Sequence, residues 1–150
     1  MGDKMTKNEI INFITQGRYS AASKLINNYD PIELESLVLE ISYEMSNIVV
    51  YSFICKLIAE KESVDLHSLA ATVMINPLSF IEGAYETSLY HVRRAIELDS
   101  SDVSLKEMII LLHLIPDEVV SKDEAIRAAT EILTIDPNNK VALDFYEKLI

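Results

Sequence analysis

Only three glycines and four prolines punctuate 150 residues. Sheets of short strands need frequent turns, and tight turns draw on these two residues above all. A chain so poor in both runs long between bends, which favours helices. The apolar spacing agrees. Leu34, Leu37, Val38, Ile41, Met45 and Ile48 recur at three- and four-residue intervals, the pattern of one buried helix face. The length fits one domain, residues 1–150, and 49% hydrophobic with 25% charged residues is the composition of a chain that buries a core.

Helix-end chemistry divides the chain further. Thr6-Lys7-Asn8-Glu9 has the form of a capping box, in which side chain and backbone satisfy each other's orphan groups. It predicts a helix over residues 6–16, stopped at Gly17, which takes the left-handed conformation without strain. A short helix over residues 20–28 follows. Asp30 then caps a third, with Pro31 at its first position. Ser46-Asn47 marks a break before a fourth helix over 48–61; one unbroken helix is the alternative, because no glycine or proline intervenes. A fifth spans 64–75 and ends at Asn76-Pro77. The sixth is predicted over 79–98, with Phe80, Ala84, Leu89, Val92, Ala95 and Ile96 inward. Capping patterns at Ser104-Leu105-Lys106-Glu107 and Ser121-Lys122-Asp123-Glu124 open two more, and Asp136-Pro137 opens the last. The expectation is an all-α chain of about nine helices.

Three segments carry a resemblance. The run AIRAATEILTIDPN from Ala125 to Asn138 resembles the second helix of a tetratricopeptide repeat with its closing turn. Gly17-Arg18-Tyr19-Ser20-Ala21-Ala22 resembles the turn between the two helices of such a repeat, and Arg94-Ala95-Ile96-Glu97-Leu98-Asp99 a repeat end. The resemblance implies stacked antiparallel hairpins, a tetratricopeptide-like α-solenoid, and a role in binding another protein. The match is incomplete. Asp30-Pro31 arrives about three residues early for a full second helix, and residues 33–75 show no repeat signature.

Charge narrows the partners. With 24 acidic and 13 basic side chains the net charge is −11. Such a surface repels phosphate backbones, so direct nucleic-acid binding is disfavoured, while a basic protein is attracted. The plainer reading is that the acidity serves solubility. Cys55 is the only cysteine, which excludes an internal disulfide and fits a reducing compartment. No apolar run reaches membrane-spanning length and the start lacks a signal-peptide pattern, so the expectation is a cytoplasmic chain. Met1-Gly2-Asp3-Lys4-Met5-Thr6 fits an acylation pattern that short sequences often meet by chance.

The residues for chemistry are sparse. No two of His67, His91 and His113 share a predicted helix at metal-ligand spacing. His113 is expected at the edge of a buried face. His91-Val92-Arg93-Arg94 reads as a solvated helix face, and Cys55, in apolar surroundings, as core packing. Neither a phosphate-binding glycine loop nor a nucleophile elbow is present. The sequence implies no enzyme, no cofactor and no metal.

The strongest signal outside the core is a stretch without bases. From Leu25 to Cys55 there is no lysine or arginine, yet Asp30, Glu33, Glu35, Glu40 and Glu44 occur. At 100° per residue Glu33, Glu40 and Glu44 fall within about 40° of one another on the third helix. Glu40 and Glu44 stand four apart with no base at helical spacing, a mildly unfavourable arrangement. Tyr43 lies beside them. These four residues are the predicted partner-binding face; the competing reading is a solvated face paired with bases from another helix. In size, charge and class the chain resembles small acidic bacterial immunity proteins, which implies an inhibitor of a toxin, often a basic nuclease. A helical-repeat adaptor holding a peptide is the alternative.

Overall fold

A computed structural model describes residues 2–149, the side chains of residues 2–5 excepted. Among the described residues it contains nine α-helices and no strand. These are α1 (Gly2–Thr15), α2 (Tyr19–Ile26), α3 (Pro31–Met45), α4 (Ile48–Glu60), α5 (Val64–Ile75), α6 (Ala84–Leu98), α7 (Val103–Leu114), α8 (Lys122–Ile135) and α9 (Lys140–Leu149). None of the described helices is long and apolar enough to cross a membrane. The acylation pattern begins at Met1, which lies outside the described residues.

Most boundaries follow from the caps. Asp30 accepts a 2.8 Å bond from the Glu33 N–H, with Pro31 at the first helical position, as expected. The break at Ser46-Asn47 is real: Ser46 takes a left-handed conformation (φ 47°), and Asn47 accepts from the Val49 N–H at 3.0 Å to start α4. A left-handed serine is strained, so Ser46→Gly should stabilise the fold by up to about 1 kcal/mol. A thermal melt checks this. A lower midpoint would mean that the bond from Ser46 Oγ to the Tyr43 carbonyl (3.1 Å) outweighs the strain.

Four helix starts are corrected. The Thr6 capping pattern lies inside α1, which already begins at Gly2. α6 begins at Ala84 rather than 79, because Gly83 turns the chain at φ 84°; Phe80 is left 68% exposed, and Pro77 and Leu78 are buried in that segment. α7 is capped by Asp102, one carboxylate oxygen of which accepts from the N–H groups of Ser104 and Leu105, so Ser104 lies inside the helix. α9 starts at Lys140, not at Asp136-Pro137. Asp136 instead accepts from the Asn138 N–H in a turn, and Asn139 accepts from the Ala142 N–H.

The core forms two clusters. One gathers Ile10, Ile14, Ala22, Val38, Ile41, Val50, Phe53 and Ile54 from the first four helices. The other gathers Val92, Ile109, Ile110, Leu112, Ala125, Ala129, Ile132 and Phe145 from α6 to α9. α5 joins them, with Ala70 and Val73 in the first and Ala71 in the second. Its neighbour α6 likewise places Ala84 in the first and Leu89 in the second. α5 and α6 share the most extensive helix contact, while α3 meets α4 and α5 only sparsely. Ile48, assigned from periodicity to the buried face of the third helix, opens α4 instead and is exposed.

Candidate functional site

The sparse packing of α3 leaves a broad outer face. Leu37, Val38, Ile41 and Ser42 are buried, and the opposite side carries Ile32, Glu33, Glu40, Tyr43 and Glu44, all exposed. Ile32 is 77% exposed and Tyr43 62%, so the face carries apolar and aromatic groups beside its carboxylates. All four predicted residues therefore lie on one side of one helix.

Their electrostatics differ from the local reading. The Lys7 ammonium of α1 reaches across and donates to Glu40 (2.6 Å) and Glu44 (2.8 Å). The hydrogen bonds to Glu40, then Glu44, raise the Lys7 pKa above its ordinary value. The like-charge repulsion expected between these two carboxylates is thus relieved by a base 33 and 37 residues away. Exposed pairs of this kind contribute little to stability. They do hold both carboxylates at fixed positions on the outer face.

A second constellation lies inside, where α4, α5 and α6 meet. The reading of His91 as a solvated residue is overturned: His91 is 3% exposed and His67 1%. Tyr51 Oη lies 2.7 Å from His91 Nε2, and the two Nδ1 atoms of His91 and His67 lie 2.9 Å apart. His67 Nε2 lies 2.7 Å from Glu62, which Arg94 grips with two bonds of 2.8 and 2.7 Å. Arg94 also bonds Glu97 at 2.8 Å.

With both rings neutral, the ionised end of this chain fixes its proton positions. Hydrogen bonds from Arg94, then from His67, hold the Glu62 pKa down at about 2, so it is ionised and can only accept. His67 Nε2–H therefore donates to it. With neutral rings, His67 Nδ1 accepts from His91 Nδ1–H, and His91 Nε2 accepts from the Tyr51 hydroxyl. Every ring nitrogen is used, leaving none for a metal or a substrate. The two rings cannot both be charged, since two N–H groups would then point at each other across 2.9 Å. Burial, and secondarily the nearby His67, lowers the His91 pKa to about 4. Burial also holds the Tyr51 pKa above its usual value, with a further push from Cys55.

A sequence signal for this cluster exists. His67 falls in register with Ala70, Ala71 and Met74, and His91 with Ala84, Ser88 and Ala95, all buried. Both histidines sit on core stripes, although nothing local pairs them across 24 residues. The remaining candidates are placed simply. His113 Nδ1 donates to the Val120 carbonyl at 2.8 Å and its ring meets the Phe145 edge at 5.8 Å, at the margin of the core as expected. Cys55 is half-buried rather than core. Among the described residues, no group of three or more histidine, cysteine or acidic side chains could hold a metal ion.

No family model, no curated protein and no solved structure matches this chain.

Proposed function

We propose that this chain is a non-catalytic binding module that receives a basic protein on the outer face of α3. On this reading it is an immunity-type inhibitor, cytoplasmic, that occludes the basic active-site cleft of a toxin, a nuclease by the argument from charge. The observation that carries the proposal is the exposure of Ile32 and Tyr43 on the same helix side as Glu33, Glu40 and Glu44. An apolar anchor and an aromatic ring with a polar tip, bordered by carboxylates, are what a basic cleft recognises. The net charge of −11 steers such a partner toward the surface.

The second reading, a tetratricopeptide-like adaptor binding a peptide of another protein, is supported by the packing of α1 on α2 and of consecutive helices from α3 to α9, and by Ala22, buried beside the Gly17 turn. It differs in placing the ligand in a groove between helices.

A photo-crosslinking residue at Tyr43, in the native cell, tests the leading reading. It should capture a basic protein that the same residue at Lys140, an exposed position on α9, does not capture. Identical captures at both positions, or none at Tyr43, would reduce the face to solvated surface.

A further inference from the structure

The early Asp30-Pro31 stop leaves α2 only eight residues long, and a cleft of about 360 Å³ opens at its end, walled by α2, α3, α4 and α5. We propose that this cleft is a second binding site, and that its occupant is a basic amphipathic peptide segment of a protein. An apolar side chain would enter the cleft while a lysine or arginine rests on its rim.

The floor is aliphatic. Ile26, Leu57 and Leu69 are buried beneath it, with Leu34 and Leu66 half-buried at the sides. The volume lies at the lower end of the range for ligand pockets, roughly 300–1,000 Å³. That suits an anchor side chain with its backbone better than a large cofactor.

The rim sets the charge. Glu35 and Asp65 line it, both exposed, and neither makes an ion pair among the described residues. Glu60 also lines it but is held by Lys56 and by Ser23 at 3.4 Å. Lys61 is the one cation lining the cleft among the described residues. A cationic end therefore meets two available carboxylates, whereas an acidic tail would face repulsion from three. Asn27, exposed at the edge, carries an amide that matches the N–H and C=O of a peptide bond, which favours a peptide over a simple amine.

This site is separate from the outer face of α3. At 100° per residue Pro31, Leu34 and Glu35 lie about 120–180° around the helix from Glu40, although Glu35 stands about 60° from Ile32 at the margin of that face. Its success or failure is distinguishable from that of the leading reading, and its success would favour the second reading, a peptide held between helices.

The test is an NMR titration of the ¹⁵N-labelled full chain with acetylated, amidated Lys-Leu-Phe-Lys and with Glu-Leu-Phe-Glu. The basic peptide should shift the amides of Leu34, Leu57, Lys61 and Leu66 and bind at least about tenfold more tightly than the acidic one. Glu35→Gln with Asp65→Asn, near-isosteric and fold-preserving, should weaken it about tenfold. Glu35→Lys with Asp65→Lys should reverse the preference, and Glu40→Gln with Glu44→Gln should leave it unchanged. Equal affinity for the two peptides, shifts centred on the outer face of α3, or full affinity in the Gln/Asn variant would overturn the proposal. So would binding of phenethylammonium as tight as that of the peptide, which would make the site one for small amines.

Discussion

Replacing His91 with alanine should destabilise the fold by about 3 kcal/mol, the sum of a cavity in packed surroundings and broken buried hydrogen bonds. The ring touches three residues at once. Tyr51 loses its acceptor, His67 Nδ1 loses its donor, and the aromatic edges of Tyr51 and Tyr90, with centroids 5.5 and 5.0 Å away, lose their contact. The gap opens between α4, α5 and α6, where the two core clusters join, so relaxation on one side disturbs the other. Urea unfolding with an unchanged slope measures the loss. A change below about 1 kcal/mol would mean that water replaces the ring with little cost, and that the relay contributes little to the fold.

Acid should weaken the protein in two windows. His91 has a folded-state pKa of about 4 against an ordinary 6.5. Above pH 6.5 both folded and unfolded states are neutral there and the fold has its full stability. As pH falls the unfolded chain takes the proton first, so stability is lost from about pH 6.5 down through about 4, by an amount on the order of 3 kcal/mol. Glu62, depressed from 4.5 to about 2 by Arg94 and then His67, adds a second loss as pH falls through that lower range. His91→Gln keeps a neutral donor and acceptor but cannot titrate. Its stability should be nearly flat between pH 6.5 and 4.5, whereas the parent protein's declines. Parallel curves for the two proteins would show that His91 is not the group responsible.

How much of this was legible depended on whether the signal was local. Asp30-Pro31, Ser46-Asn47 and Ser121 act within three or four residues of the helix they start or stop, and those boundaries follow from the sequence. Phe80 is the contrary case. Its helical spacing pointed inward, but Gly83 adopts a left-handed conformation and the helix begins beyond it. A capping pattern also fails where a better start lies nearby, as Asp102 precedes Ser104. The α3 face was read correctly as a set of residues sharing one side, because angular position follows from numbering alone. Pairing with bases from another helix was the competing reading of that face and Lys7 provides it, but which base reaches Glu40 and Glu44 depends on tertiary placement. The Tyr51–His91–His67–Glu62 chain was missed for the same reason: its members are 5 to 40 residues apart and meet only through tertiary packing.

The central claim is that carboxylates on the outer face of α3 guide a basic partner into place. It is tested most directly by stopped-flow association with the protein captured at Tyr43, comparing the parent chain with the variant Glu33→Gln, Glu40→Gln, Glu44→Gln. Association should slow by about an order of magnitude at low ionic strength, because charges that steer encounter act on the on-rate. The two rates should converge toward 1 M salt, where the Debye length is about 3 Å. Identical association rates for parent and variant at low salt, with the variant's thermal melt intact, would contradict the account.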